Sequence, residues 1–252
     1  MSAAQNLKSP LILGTSEGES GFLGIKEIVA LTEIEKMKIS APVFLNFDHG
    51  KKIEMLKEAI DYNYDAVHFD GSDLPLKENI NTAKELTKYA HKKGALLEGE
   101  MEFIGGESKL HKTALNGEEI KLTLPENALR FLEETKADSL AVSIGNVHGV
   151  YAPMPKLDLE QLKKIKSLVK SFLVLHGGSG INDQEIKAAI ACGIVKINFN
   201  TEIRAVWRES LENYFKKEPE EIKPYKILTQ VQNSIQKKVE EKIILLGSKN
   251  KV

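Results

Sequence analysis

The sequence predicts an α/β fold and, within that class, a (β/α)8 barrel rather than an open doubly wound sheet. Three observations carry this. Short apolar runs alternate with longer amphipathic segments along nearly all 252 residues, the order expected of parallel βαβ units. No G-x-G-x-x-G follows the first run, as an open dinucleotide-binding sheet would have. Polar residues collect at the C-terminal ends of several runs, where barrels build their sites.

The strands are read over Leu11–Ser16 (LILGTS), Val43–Asp48 (VFLNFD), Ala66–Asp70 (AVHFD), Ala95–Glu100 (ALLEGE), Ser139–Ile144 (SLAVSI), Phe172–His176 (FLVLH) and Ile194–Phe199 (IVKINF). Each is short and bordered by Gly, Ser, Asp or Asn, as buried parallel strands tend to be. Segments such as Ile53–Ile60 and Leu159–Val169 repeat apolar residues at three and four, which predicts helices with a Lys/Glu face in water. Asp158 and Asn182 stand where helix N-caps are wanted. Seven strands are counted, one fewer than a closed eight-stranded barrel. The expectation is one barrel domain over residues 1–252, with a long polar loop at Glu102–Glu126 and a terminal amphipathic helix from Pro224 to Leu246. That helix is equally consistent with assembly and with packing on its own barrel.

Composition excludes several classes. Thirty-six acidic side chains against 35 basic give a net charge of −1, which argues against a general nucleic-acid binder. One Cys fits a reducing, cytoplasmic setting. No run approaches the ~20 apolar residues that span a bilayer, so no membrane partner is expected.

Three histidines follow strands beside glycine, in Asp48-His49-Gly50, Val147-His148-Gly149 and Leu175-His176-Gly177. On a barrel rim these imidazoles would converge, and three His with one open position is a catalytic zinc arrangement. Any one alone reads more simply as a hydrogen-bonded rim histidine; three repeats of one context favour the metal. His68, inside a strand, and His91 and His111, in polar surroundings, lack that context and are set aside. Asp48, Asp70, Glu98 and Glu100 lie at the same strand ends, where acids orient ligands, bind a second ion or move protons. His176-Gly177-Gly178-Ser179-Gly180 and Lys196-Ile197-Asn198-Phe199-Asn200-Thr201 each lead from a strand towards a helix, a recurrent phosphate-binding context on the last barrel strands.

These blocks in order, with Phe69-Asp70-Gly71-Ser72, Glu98-Gly99-Glu100, Gly105-Gly106 and Gly145-Asn146-Val147-His148-Gly149, resemble the class II, metal-dependent fructose-bisphosphate/tagatose-bisphosphate aldolases. The resemblance runs from about Ser9 to Glu209. It implies a lyase that cleaves fructose or tagatose 1,6-bisphosphate reversibly to dihydroxyacetone phosphate and glyceraldehyde 3-phosphate. Alternatives are an aldolase for another phosphorylated ketose, or a non-catalytic subunit. The resemblance assigns Zn2+ (or Co2+) to His49, His148 and His176, and a second or displaced ion to Asp70 and Glu100. Asp48 becomes the catalytic proton donor. Ser16, Gly149, Gly177, Gly178, Ser179, Asn198, Phe199, Asn200 and Thr201 become substrate-binding, with Na+ or K+ nearby. Glu102–Glu126 becomes the mobile loop, where Glu107 is the nearest candidate for the loop acid because Ser108 and Lys109 follow it in place of a second acid. Lys196 needs no imine role when a metal is the electron sink. Homodimers or homotetramers are implied. Relative to that family the chain lacks a first strand and most of a first helix, which accounts for the count of seven.

Overall fold

The computed structural model describes residues 1–115 and 120–252. Residues 116–119 of the long polar loop, beginning Asn116-Gly117, lie outside them. The described chain opens with a short helix α1 (Ser2–Leu7) and then alternates β1 (Leu11–Ser16), helices α2 (Glu17–Leu23) and α3 (Ile25–Lys36), β2 (Val43–Gly50), α4 (Ile53–Asp61), β3 (Ala66–Asp70), α5 (Leu76–Lys93) and β4 (Leu96–Glu100). After the loop strand β5 (Gly106–Leu110) come α6 (Pro125–Thr135), β6 (Ser139–Ala141), β7 (His148–Val150), α7 (Leu159–Leu168), β8 (Phe172–Leu175), α8 (Asp183–Ala191), β9 (Ile194–Ile197), α9 (Thr201–Lys217) and α10 (Pro224–Leu245).

Seven strands form one all-parallel sheet in the order β1-β2-β3-β4-β6-β8-β9. Its curl brings the last strand back to the second: the Asn198 amide, just past β9, donates to Asp48 on β2 at 3.1 Å. The sheet is therefore a barrel with one stave fewer than eight, and β1 and β9 are its edges.

Alternation along each strand sorts side chains to two faces. Phe47, Val67, Phe69, Leu97, Leu140 and Leu175 point outwards and are buried beneath the helices. Their neighbours point into the lumen. There the upper layers hold Asp48, His68, Glu98, Glu100, His176 and Lys196, whereas Ile12, Phe44, Leu96 and Phe172 line the lower mouth at 45–60% exposure. The terminal helix α10 packs on α9 and α1 of its own chain.

Two expectations change. Ser139–Ile144 was expected as one strand, but pairing stops at Ala141, because the Ile144 N–H donates to the Asn146 side chain (2.8 Å) instead of to a strand. Glu102–Glu126 is not loop throughout: β5 pairs parallel with β7, and Pro125 opens α6.

Candidate active site

Building the site starts at a break in β2. The ladder pairs Asn46 and Phe47 with Ala66 and Val67, then Gly50 with Phe69, so β2 carries one extra residue between them. His49 absorbs it with a left-handed φ of 50°, a conformation that costs an L-residue ~1–2 kcal/mol. His148 begins β7, and its N–H donates to the Gly105 carbonyl at 2.7 Å. His176 directly follows β8. Gly177, at φ 66°, must be glycine, because a Cβ there would stand 2.2 Å from the Val147 carbonyl oxygen.

His49 stands between the other two imidazoles, whose ring centroids are 6.1 Å apart. His49 Nε2 lies 3.1 Å from His148 Nε2 and 3.0 Å from His176 Nδ1. The opposite nitrogen of each ring faces an acceptor: His148 Nδ1 the Ile104 carbonyl (2.9 Å), His176 Nε2 the Glu98 carboxylate (2.8 Å), His49 Nδ1 the Asp70 carboxylate (3.4 Å). Assigning the protons from these acceptors leaves the lone pairs of His148 and His176 both directed at His49 Nε2. Among the described residues, donor atoms that all lie within 4.8 Å of one another form two sets that could hold a metal ion, Asp48-His49-His68-His176 and His49-Asp70-Glu100, and His148 adjoins them through His49.

The rest of the cluster is acidic and buried. Asp70 and Glu100 approach His49 Nδ1 to 3.4 and 3.6 Å. Two atoms here, His68 Nε2 and Glu100 Oε2, are buried without a hydrogen bond although they stand 3.2 Å apart. Burial opposes ionisation of Asp48, yet the approach of His68 and the nearby His176 and His49 rings hold its carboxyl well below the usual range. Glu98 is held down likewise against burial, chiefly by Lys196 at 2.7 Å and by His176, and Asp70 by His49 and Ser72. Burial and His49 lower the His176 pKa to about 4, and the same two causes lower that of His148. His68 goes the other way: against burial, Asp48, Glu100 and Glu98 raise it to about 10.

Two adjoining cavities of about 210 and 190 Å3 share His49, His148 and Ser108. Asp70, Glu100, Phe103, Ile104 and Gly106 complete the first. Ser16, Asp48, Gly149, His176, Gly177, Ser179, Asn198, Asn200, Thr201 and Arg204 complete the second. Ser16 caps α2 in a reciprocal pair with Glu19. Asn200 gives α9 no side-chain cap, the Glu202 N–H donates to Ser179 Oγ at 3.3 Å, and the helix's positive end lies at the cavity beside Thr201 and Arg204.

The structure thus gathers most residues singled out from sequence, and leaves three aside. Gly178 and Phe199 do not line the cavities; Phe199 lies under the Lys242 ammonium at 4.8 Å. Glu107 sits on β5, two-thirds exposed and paired with Lys109 at 2.7 Å, which lowers its pKa; its neighbour Ser108 faces inwards instead. Sequence reasoning missed Arg204, one turn into α9, and His68. The available signal for His68 was period two, which puts it on the same face as Asp70.

The family model for class II fructose-bisphosphate aldolase matches residues 1–251. The chain belongs to that family of metal-dependent lyases. It is 35% identical over its whole length to a fructose-bisphosphate aldolase of Geobacillus stearothermophilus, of which it covers 87%. It is 36% identical to a 6-phospho-5-dehydro-2-deoxy-D-gluconate aldolase of Shouchella clausii, covering 85% of it. Among solved structures, the YdjI aldolase of Escherichia coli K12 superposes with a TM-score of 0.82 at 30% identity, over 99% of this chain and 86% of that one. The fructose-bisphosphate aldolase of Campylobacter jejuni gives 0.82 at 25% identity with the same coverage. Among the described residues, no helix is long and apolar enough to cross a membrane.

Proposed function

We propose that the chain cleaves fructose or tagatose 1,6-bisphosphate reversibly to dihydroxyacetone phosphate and glyceraldehyde 3-phosphate. The observation that carries this is the cluster of imidazoles and carboxylates centred on His49, beside a cavity walled by glycine turns and a helix N-terminus. His49 Nε2, His148 Nε2 and His176 Nδ1 are the donors that would hold Zn2+, or Co2+ in its place, with Asp70 and Glu100 as the acids for a second or displaced ion. When bound, the metal supplies Lewis-acid polarisation of the ketose carbonyl.

The chain's own groups do the rest. Asp48 is ionised and oriented by the Asn198 amide, so in cleavage it accepts the proton of the substrate hydroxyl and returns it in synthesis. Gly149, Gly177, Ser179, Asn198, Asn200 and Thr201 line the phosphate end, where the α9 N-terminus favours an anion. Arg204, held by Glu19 at 2.7 Å, offers that end a fixed positive charge. Gly178 and Phe199 shape these turns from behind; a Cβ on Gly178 would meet Ile197 at 2.6 Å. Glu107 would have to leave its pair with Lys109 to serve as the loop acid.

A second reading, an aldolase for 6-phospho-5-dehydro-2-deoxy-D-gluconate, is supported by the equally similar relative of that name. The test is product analysis with both substrate types before and after chelation. Chelator is expected to abolish cleavage, Zn2+ or Co2+ to restore it, and borohydride with substrate to leave the enzyme active. Chelator-resistant cleavage would refute the assignment. A homodimer or homotetramer is proposed on the exposed Trp207, Phe215, Ile222 and Tyr225 of the α9–α10 region, and light scattering after size exclusion checks it.

A further inference from the structure

His68 has no part in the chemistry above, yet it is fully buried at the centre of the site. Its ring centroid lies 4.7 Å from that of His49 and 4.6 Å from that of His176. Its Nδ1 accepts the backbone N–H of His49 at 3.1 Å. That amide is the one the β2 bulge takes out of the strand ladder, and a buried N–H without an acceptor costs ~1–3 kcal/mol. At the other end of the ring, Nε2 stands 3.2 Å from Glu100 Oε2.

From this geometry we infer that His68 is a positioning residue: it holds His49 in its left-handed conformation, and so keeps His49 Nε2 between His148 Nε2 and His176 Nδ1. The bulge, the positive φ and the acceptor form one device. An ordinary extended residue at position 49 would direct its side chain elsewhere, because φ sets where Cβ leaves the backbone. The side chain on the adjacent strand satisfies the amide that this conformation strands. The inference rests on the metal reading of the three imidazoles.

The test compares wild type with His68→Leu, which fills the space without an acceptor, and His68→Asn, whose Oδ1 stands near the place of Nδ1. Zn2+ affinity is measured by competition with a chromophoric chelator, and the ligand field by the visible spectrum of the Co2+-loaded protein. His68→Leu is expected to weaken Zn2+ binding 10–100-fold, the range typical of losing an outer-shell partner, and to shift the Co2+ bands. His68→Asn should stay within about fivefold of wild type, with unshifted bands. A folded His68→Leu protein with wild-type affinity and spectrum overturns the inference, as does an Asn variant as weak as Leu. If His68→Leu does not fold, His68→Gln replaces it, since its polar atoms fall near Nε2 rather than Nδ1; equal losses in Asn and Gln then overturn the role. Failure of wild type itself to bind Zn2+ would sink the metal reading, and this inference with it.

Discussion

Leu97 and Glu98 are neighbours in β4 and are both almost fully buried, but they live in different media. Leu97 joins the apolar layer between sheet and helices. Glu98 lies in the lumen between Lys196 and His176, at 2.7 and 2.8 Å. The same contrast repeats at Phe69 and Asp70, and at Leu175 and His176. The outer face of each strand holds the barrel together by excluding water. The inner face carries charge that is tolerable because groups such as Glu98, with Lys196 and His176, are paired. One set of strands thus carries two jobs at adjacent positions, and substitutions should separate them.

The largest effect is expected on the inner face. His148→Ala should reduce kcat/KM at least ~10^3-fold, about 4 kcal/mol of transition-state stabilisation, while the urea midpoint stays near wild type. Retention of a tenth of the activity would show that the convergent imidazoles are not the reactive centre. Next comes an outer-face change made between two lumen acids. A Cβ on Gly99 would stand 2.5 Å from the Phe131 ring, so Gly99→Ala should destabilise the fold by ~1–3 kcal/mol through overpacking. Urea unfolding of the metal-free protein measures it, and an unchanged midpoint would mean that the two faces do not meet there.

The third prediction concerns pH. The folded-state pKa of His176 is lowered to about 4, so between roughly pH 6.5 and 4 the unfolded chain takes up a proton that the folded chain refuses, and stability is lost as pH falls. The depressed Asp70 and Glu98 carboxyls extend the loss below about pH 4.5. His68 is raised to about 10, so its contribution is complete below roughly pH 6.5 and is lost as pH rises towards 10. Chelator-treated protein should therefore be most stable near pH 6–7, with midpoints falling by about 1 kcal/mol per pH unit on each side. A flat profile would show that the lumen charges are not coupled to folding. The smallest effect is expected at the exposed loop: Glu107→Gln should change kcat less than about threefold, under ~0.7 kcal/mol. A hundredfold loss would give Glu107 the proton transfer after all.

Much of this was legible. Alternation and strand-end chemistry located all seven barrel strands, and the His-Gly contexts pointed to His148 and His176, whose ring nitrogens both approach His49 Nε2. What escaped was whatever depends on partners distant in sequence. Nothing in Gly106–Leu110, a polar and exposed stretch, reveals that it pairs with His148–Val150. A bulge at His49 has no local signature, and without it His68 reads as an odd histidine in an apolar strand. Arg204 becomes visible only when the helix start beside Asn200 is known. Glu102 looked like loop, whereas its carboxylate accepts the Thr123 hydroxyl at 2.7 Å and clasps the two ends of that segment together.

The sheet's two outer strands carry a further consequence. Among the described residues, β1 pairs only with β2 and β9 only with β8, so the far side of each carries backbone groups outside the ladder, while Ile12, Phe44, Leu96 and Phe172 stay partly wet below them. Such rims recruit other chains. Solution handling of the protein should accordingly be governed by concentration: dilute samples stay dispersed, and crowded ones cross-seed through their rims well below the temperature at which the barrel itself melts.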